Sequence, residues 1–277
     1  MIQAVKFIIL ILFAVGCYYF YLLLIKRKRS KIANSPTPQN WDEILLKNFS
    51  IIQLLPKDLK SDLIKTMKVF LAEKKFHGCG IEITEEIKIT IAAQACLLLL
   101  NKKHNYYPHL NNIFIYPHAF KSVQKEHAGY IETQKTVVRS GESWVRGPIV
   151  LSWHHSLHGS LNANDGQNVV FHEFAHQLDQ EDGTSNGTPY LPDALSYKVW
   201  SKVMEKSFVQ MTNEIMKNQK ILIDEYGVTN SAEFFAVLTE TFFENPEKLY
   251  KQNYELYDIL KKYYSLDPIK WKKDQLQ

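Results

Sequence analysis

The sequence predicts an α+β domain, mainly helical with a small β-sheet, preceded by one N-terminal transmembrane helix. Three observations carry this. Residues 7–25 run for 19 positions without a charge. β-branched and aromatic runs are concentrated between Asn112 and Trp153, whereas helical periodicity dominates from Phe171 onward. Segregation of strands and helices along one chain marks the α+β class rather than alternating βα units.

At about 1.5 Å rise per residue the apolar stretch spans roughly 28 Å, close to the thickness of a bilayer core. It ends in Tyr21-Leu22-Leu23-Leu24-Ile25 and runs straight into Lys26-Arg27-Lys28-Arg29. A cleaved leader would show a shorter apolar core and small residues at a cleavage site, so the segment reads as an anchor that stays. Only Lys6 lies upstream, while Lys26, Arg27, Lys28, Arg29 and Lys31 crowd the downstream side. Positive residues remain in the cytoplasm, which places the following domain there. The same basic run suits anionic lipid head groups. Residues 1–29 form the anchor and its basic flank, 30–41 a linker containing Pro36 and Pro38, and 42–277 one domain.

The net charge is +4, and without Lys6 and the five cations that follow the anchor the remainder carries about −2. That excludes a nucleic-acid-binding surface of the usual basic kind. Cys17 lies in the anchor, and Cys79 and Cys96 are too few for a disulfide framework or a cysteine metal motif, which suits a reducing compartment.

Within the domain, Leu55–Lys75 reads as a helix with Pro56 near its start, and Thr84-Glu85-Glu86 opens a second through Leu100. Asn112–Tyr116 and Thr136–Trp153 carry strand signals, the latter broken by a turn at Ser140-Gly141. Its last part, Gly147–Trp153, reads as an exposed sheet edge on which a peptide would add as a strand. Trp153-His154-His155-Ser156-Leu157-His158 reads as exposed loop, with a cleft rim or an accessory metal site as its functional alternatives. Ala194–Asn218 and Glu255–Tyr264 read as helices.

Between them lies His172-Glu173-Phe174-Ala175-His176, an H-E-x-x-H motif in an apolar helical run. Phe171, Phe174, Ala175 and Leu178 follow the spacing of a core-facing stripe; Asn164, Asp165 and Gly166 supply capping and turn chemistry before it. Histidines four apart share a helix face, so both imidazoles reach one Zn²⁺. Glu173 projects toward the open side of that metal, placed to take a proton from water.

A catalytic zinc takes three protein ligands and keeps one open position. Asp182 lies six residues past His176, the metzincin spacing, but that pattern needs glycine where Asp179 stands. Glu233, in the helical run Ser231–Phe243, fits the plan of a carboxylate from a second helix; a capping glutamate favoured by the helix dipole fits equally well. Asp179 and Glu240 are placed to orient a ligand through its second ring nitrogen, and equally to be solvated helix residues.

HEFAHQLD, followed by Tyr226-Gly227 and SAEFFAVLTETFF, resembles the Mlc titration factor A family of bacterial zinc metallopeptidases, as do FHGCGIEIT, IAAQACLLLL and GESWVRGPIVLSW upstream. The similarity covers about Leu71 to Pro268. Around the motif the chain also resembles the catalytic domain of anthrax lethal factor. The resemblance implies a zincin-like metallopeptidase domain with one Zn²⁺ on His172, His176 and Glu233, Glu173 as general base and Tyr226 as transition-state stabiliser. It implies peptide-bond hydrolysis of a peptide or protein substrate, of aminopeptidase type. It also implies an alternative, regulatory function: binding a sugar-responsive transcriptional repressor.

Overall fold

The structure, a computed structural model, describes residues 2–101, 105–128, 131–144 and 147–273. Helix α1 (Ile2–Ala33) is unbroken. A window of its Lys6–Ala33 stretch has mean hydropathy 2.6 and is not buried at all, so the helix is long and apolar enough to cross a bilayer. The predicted linker is helical at 30–33, because Arg29 finds a partner on the domain: its guanidinium donates to both carboxylate oxygens of Glu73, at 2.7 and 2.9 Å.

Next come α2 (Asn40–Asn48), α3 (Lys57–Glu73), strand β1 (Lys75–Gly78) and α4 (Glu85–Leu97). The Thr84 hydroxyl accepts from Ile87 N and starts α4. Strands β2 (Asn112–Tyr116), β3 (Phe120–Ala128), β4 (Ile131–Arg139), β5 (Gly141–Ser143) and β6 (Ile149–Ser152) follow. The remaining α-helices among the described residues are α5 (Trp153–Leu161), α6 (Val169–Asp179), α7 (Ala194–Met216), α8 (Ser231–Glu244), α9 (Pro246–Gln252), α10 (Tyr254–Tyr264) and α11 (Pro268–Lys273).

One four-stranded sheet has the order β1-β2-β6-β5, with β1, β2 and β6 parallel and β5 antiparallel to β6. Parallel neighbours need crossovers; α4 supplies the one from β1 to β2. Strands β3 and β4 form a separate antiparallel pair. This mixed sheet among helices agrees with the predicted class. Strands β1 and β3 had no sequence forecast, since KFHG is too short and FKSVQKEHA too polar to stand out.

Three local expectations need correction. Strand β6 is paired on both sides, so the edge strands of this sheet are β1 and β5 instead of Gly147–Trp153. His154, His155 and His158 lie on helix α5, not in a loop: the buried Ser152 hydroxyl accepts from His155 N and nucleates the helix. The cap of the motif helix is Asn168, whose side chain accepts from Phe171 N, while Asp165 closes the preceding turn onto Gln167 N.

Helix α6 runs through the core. Phe171, Phe174 and Ala175 are fully buried and Leu178 nearly so. Phe174 packs against Tyr107 and Phe70, at ring separations of 4.9 and 5.8 Å, and Phe171 against Phe243 of α8 at 5.3 Å. Truncating such a phenylalanine costs about 3–5 kcal/mol, so the face carrying the motif is held rigidly by the face opposite it.

Candidate metal centre

Helices α6 and α8 cross so that His172, His176 and Glu233 face one another. His172 Nε2 lies 2.9 Å from Glu233 Oε2 and 3.2 Å from His176 Nε2, and His176 Nε2 is 3.5 Å from the same Glu233 oxygen. A tetrahedral ion with bonds of about 2.0–2.1 Å sets its ligand atoms about 3.3 Å apart, so this triangle has the size that zinc requires. Asn230 caps α8 by accepting from Ala232 N and Glu233 N, which fixes the first turn that presents Glu233.

Glu240, two turns further along α8, takes the other His172 ring nitrogen: Nδ1 donates to Oε1 at 2.8 Å. Its second oxygen accepts from Asn168 N, at the start of α6. Burial alone would lower the His172 pKa, but the carboxylates of Glu233 and Glu240 on either side carry it well above the ordinary value. Burial works against charge on Glu233 too, and its hydrogen bonds to both histidines overcome that, leaving its pKa lowered.

Glu173 is buried on the cleft wall, and loss of solvent raises its pKa, with the two histidines partly offsetting the effect. Strand β5 packs directly on it. A Cβ on Gly141 would fall 2.5 Å from Glu173 Oε1 and 2.6 Å from Val169 Cγ2, so only glycine lets the strand come this close. Gln177, one turn along α6, donates to Ser143 Oγ at 2.7 Å and fastens the same strand.

Tyr226 sits on a 3-10 turn, Glu225–Val228, with its ring 6.3 Å from that of His172. Partial burial and the neighbouring Glu233 carboxylate, to which the phenol hydrogen-bonds, push its pKa up to about 12. Asp179 is fully buried, and its Oδ2 accepts from Gly187 N at 2.9 Å, so it holds the 183–193 loop. That loop packs where a Cβ on Gly187 would meet Ser231 O, at the start of α8. Asp182 serves a local turn, accepting from Thr184 N and Oγ1, and stands outside the triad.

His172, Glu173, His176, Tyr226, Glu233 and Glu240 border one cleft of about 1090 Å³, with Arg139, His155 and His158 also on its wall. Sequence reasoning missed three contributors. Gly141 packs on Glu173 as described. Asn168 donates from Nδ2 to Glu244 Oε1, and Glu244 Oε2 accepts from Gly166 N, so this pair ties the start of α6 to α8. Burial pushes the Glu244 carboxyl up to about 9. The spacing 233, 240, 244 is a one-face helical pattern and was the available signal for Glu244.

Comparison with known proteins agrees with this chemistry. The chain is 38% identical over 245 residues to the uncharacterized protein slr2042 of Synechocystis, covering 87% of this chain and 89% of that one. It is 31% identical to Mlc titration factor A of Enterobacter sp. strain 638 and 29% identical to that of Escherichia coli K12, each over 235 residues, 83% of this chain and 86% of the relative. Residues 23–265 match the family described as glucose-regulated metallo-peptidase M90, and this chain belongs to that family.

Proposed function

We propose that the chain is a membrane-tethered, zinc-dependent peptidase of zincin-like fold. The observation that carries this is the convergence of three ligand atoms from His172, His176 and Glu233 on one point, beside buried Glu173, in an open cleft. Those three residues would hold one Zn²⁺ per chain. When bound, zinc supplies Lewis acidity at the scissile carbonyl and toward water.

The chain's own groups do the rest. Glu173 takes a proton from the attacking water on its carboxylate and returns it to the leaving amine nitrogen; a pKa raised by burial suits both steps. Tyr226 keeps its proton through the neutral range and donates a hydrogen bond to the carbonyl oxygen as charge develops there. Glu240 fixes the His172 tautomer so that Nε2 faces the metal. An extended peptide would pair with the free edge of β5.

Peptide-library cleavage read by mass spectrometry tests the proposal, with the zinc-loaded full chain run against Glu173→Gln. Cleavage by the wild type alone supports it, and the product ends separate the proposed aminopeptidase activity from endopeptidase activity. Cleavage by neither, with zinc bound in both, overturns it.

A second reading has a specific ground. Relatives spanning most of this chain carry the name Mlc titration factor A, so a transcriptional repressor is a proposed partner. Capture of a repressor by Glu173→Gln in a pull-down would separate that binding from hydrolysis. The topology proposed from Lys6 against Lys26–Lys31 puts the domain in the cytoplasm; protease protection in sealed cells and inverted vesicles tests it.

A further inference from the structure

The end of α1 does not leave the membrane as a free stalk. Ile25, Arg29, Ile32 and Ala33 face the domain, and Arg29 is held there from three sides. It pairs with Glu73, donates from Nη1 to Asn105 Oδ1 at 2.6 Å, and lies 4.8 Å over the Tyr106 ring. Lys68 Nζ donates to Ser35 O just beyond the helix end.

Tyr106 and Tyr107 reach this junction through an unusual backbone. Both have left-handed φ, 53° and 54°, which is strained for a bulky residue. Burial of Tyr107 keeps the turn in place: its hydroxyl donates to Ala95 O, and Lys74 Nζ donates to the carbonyls of Tyr107 and Leu110. The strain turns Tyr107 into the core and leaves Tyr106 against α1.

Between α1 and this turn lies a separate cavity of about 470 Å³, lined by Leu22, Ile25, Lys26, Arg29, Asn105 and Tyr106 among others. Its chemistry is graded along the helix. Leu22 and Ile25 belong to the apolar stretch, and Lys26 begins the basic run. Glu73 neutralises Arg29, so Lys26, flanked by Arg27 and Lys28, supplies the net positive charge. An apolar wall continuous with the hydrocarbon-crossing segment, followed by a cation and polar side chains, matches an amphiphile that carries an anionic head.

We infer that this cavity binds the head group and upper acyl chain of an anionic phospholipid, fixing the catalytic domain against the membrane surface. The inference rests on the reading of α1 as a membrane span. The lipid phosphate pairs with Lys26 and takes hydrogen bonds from the Asn105 and Tyr106 side chains, while the acyl chain lies along Leu22 and Ile25.

The test uses the full chain reconstituted in phosphatidylcholine vesicles with or without phosphatidylglycerol, and native mass spectrometry to count lipid retained after extraction. One phosphatidylglycerol per chain is expected. Lys26→Ala should weaken retention about fivefold, the effect of one cation near a lipid surface. Lys28→Ala removes equal charge outside the cavity lining and should retain the lipid. Ser30 also lines the cavity from an exposed position; Ser30→Leu fills it, leaves the charge unchanged, and should also release the lipid.

Equal losses in the two lysine variants, or full retention by Ser30→Leu, would overturn the site in favour of diffuse electrostatics. Equal retention of phosphatidylcholine would overturn the anionic assignment, and displacement by inorganic phosphate alone would overturn the lipid assignment. An alkaline carbonate wash that strips the chain from the vesicles would identify failure of the span reading itself, separately from failure of the cavity.

Discussion

His172 Nδ1 donates to Glu240 Oε1 at 2.8 Å, while Nε2 of the same ring faces Glu233 and His176. One carboxylate thus sets which nitrogen of the first motif histidine is available to a metal. Carboxylates in this position typically account for 10- to 100-fold in metal affinity. Glu240→Ala should weaken zinc binding by about that factor, measured by competition with a chelator of known affinity, with Tm of the metal-free protein recorded alongside. Unchanged zinc affinity would remove Glu240 from the centre.

Gly141 governs the other wall. Adding a methyl there forces Glu173 or Val169 aside, because the new carbon would lie within 2.6 Å of both. Gly141→Ala should lower kcat by at least about tenfold, since misplacing a catalytic group by an ångström is costly. Overpacking destabilises by about 1–3 kcal/mol, which thermal unfolding would read.

Tyr226→Phe deletes one hydroxyl and little else. Loss of a single donor to a developing oxyanion costs about 10²–10³ in kcat. Zinc content should not change, because the three converging ligand atoms come from His172, His176 and Glu233. Zinc loss in this variant, by elemental analysis, would refute the proposed role.

Glu244 yields a pH dependence whose sign is fixed by its burial. Its folded pKa is pushed up to about 9 from an ordinary 4.5. The folded chain therefore holds a proton that the unfolded chain has released, and stability falls as pH rises between those two values. Glu244→Gln mimics the protonated form. Its stability relative to wild type should rise steadily across that window, as followed by denaturant unfolding, and a flat difference would exclude Glu244 as the source.

Glu173→Gln should abolish cleavage while zinc stays bound, a loss of at least about 10²-fold for a general base. Steady-state peptide cleavage and zinc content on the same preparation check it.

The sequence by itself determined what is local. His172 and His176 share a helix face because they are four residues apart, and the Phe171–Leu178 stripe is buried because its spacing makes one apolar face. The apolar length of residues 7–25 and the strand at Asn112–Tyr116 were equally readable, each depending on neighbouring residues alone. Tertiary packing decided the rest. Spacing left Glu233 balanced between cap and ligand, and the approach of α8 to α6 brings it to the histidines, while Asp182 is drawn into its own turn. The same crossing selected Glu240 over Asp179 as the partner of a motif histidine, gave Asn168 and Glu244 their pairing, and set β5 against Glu173. Periodicity states which residues share a face; which faces meet depends on contacts between residues some 30 to 80 positions apart, and those only the folded core specifies.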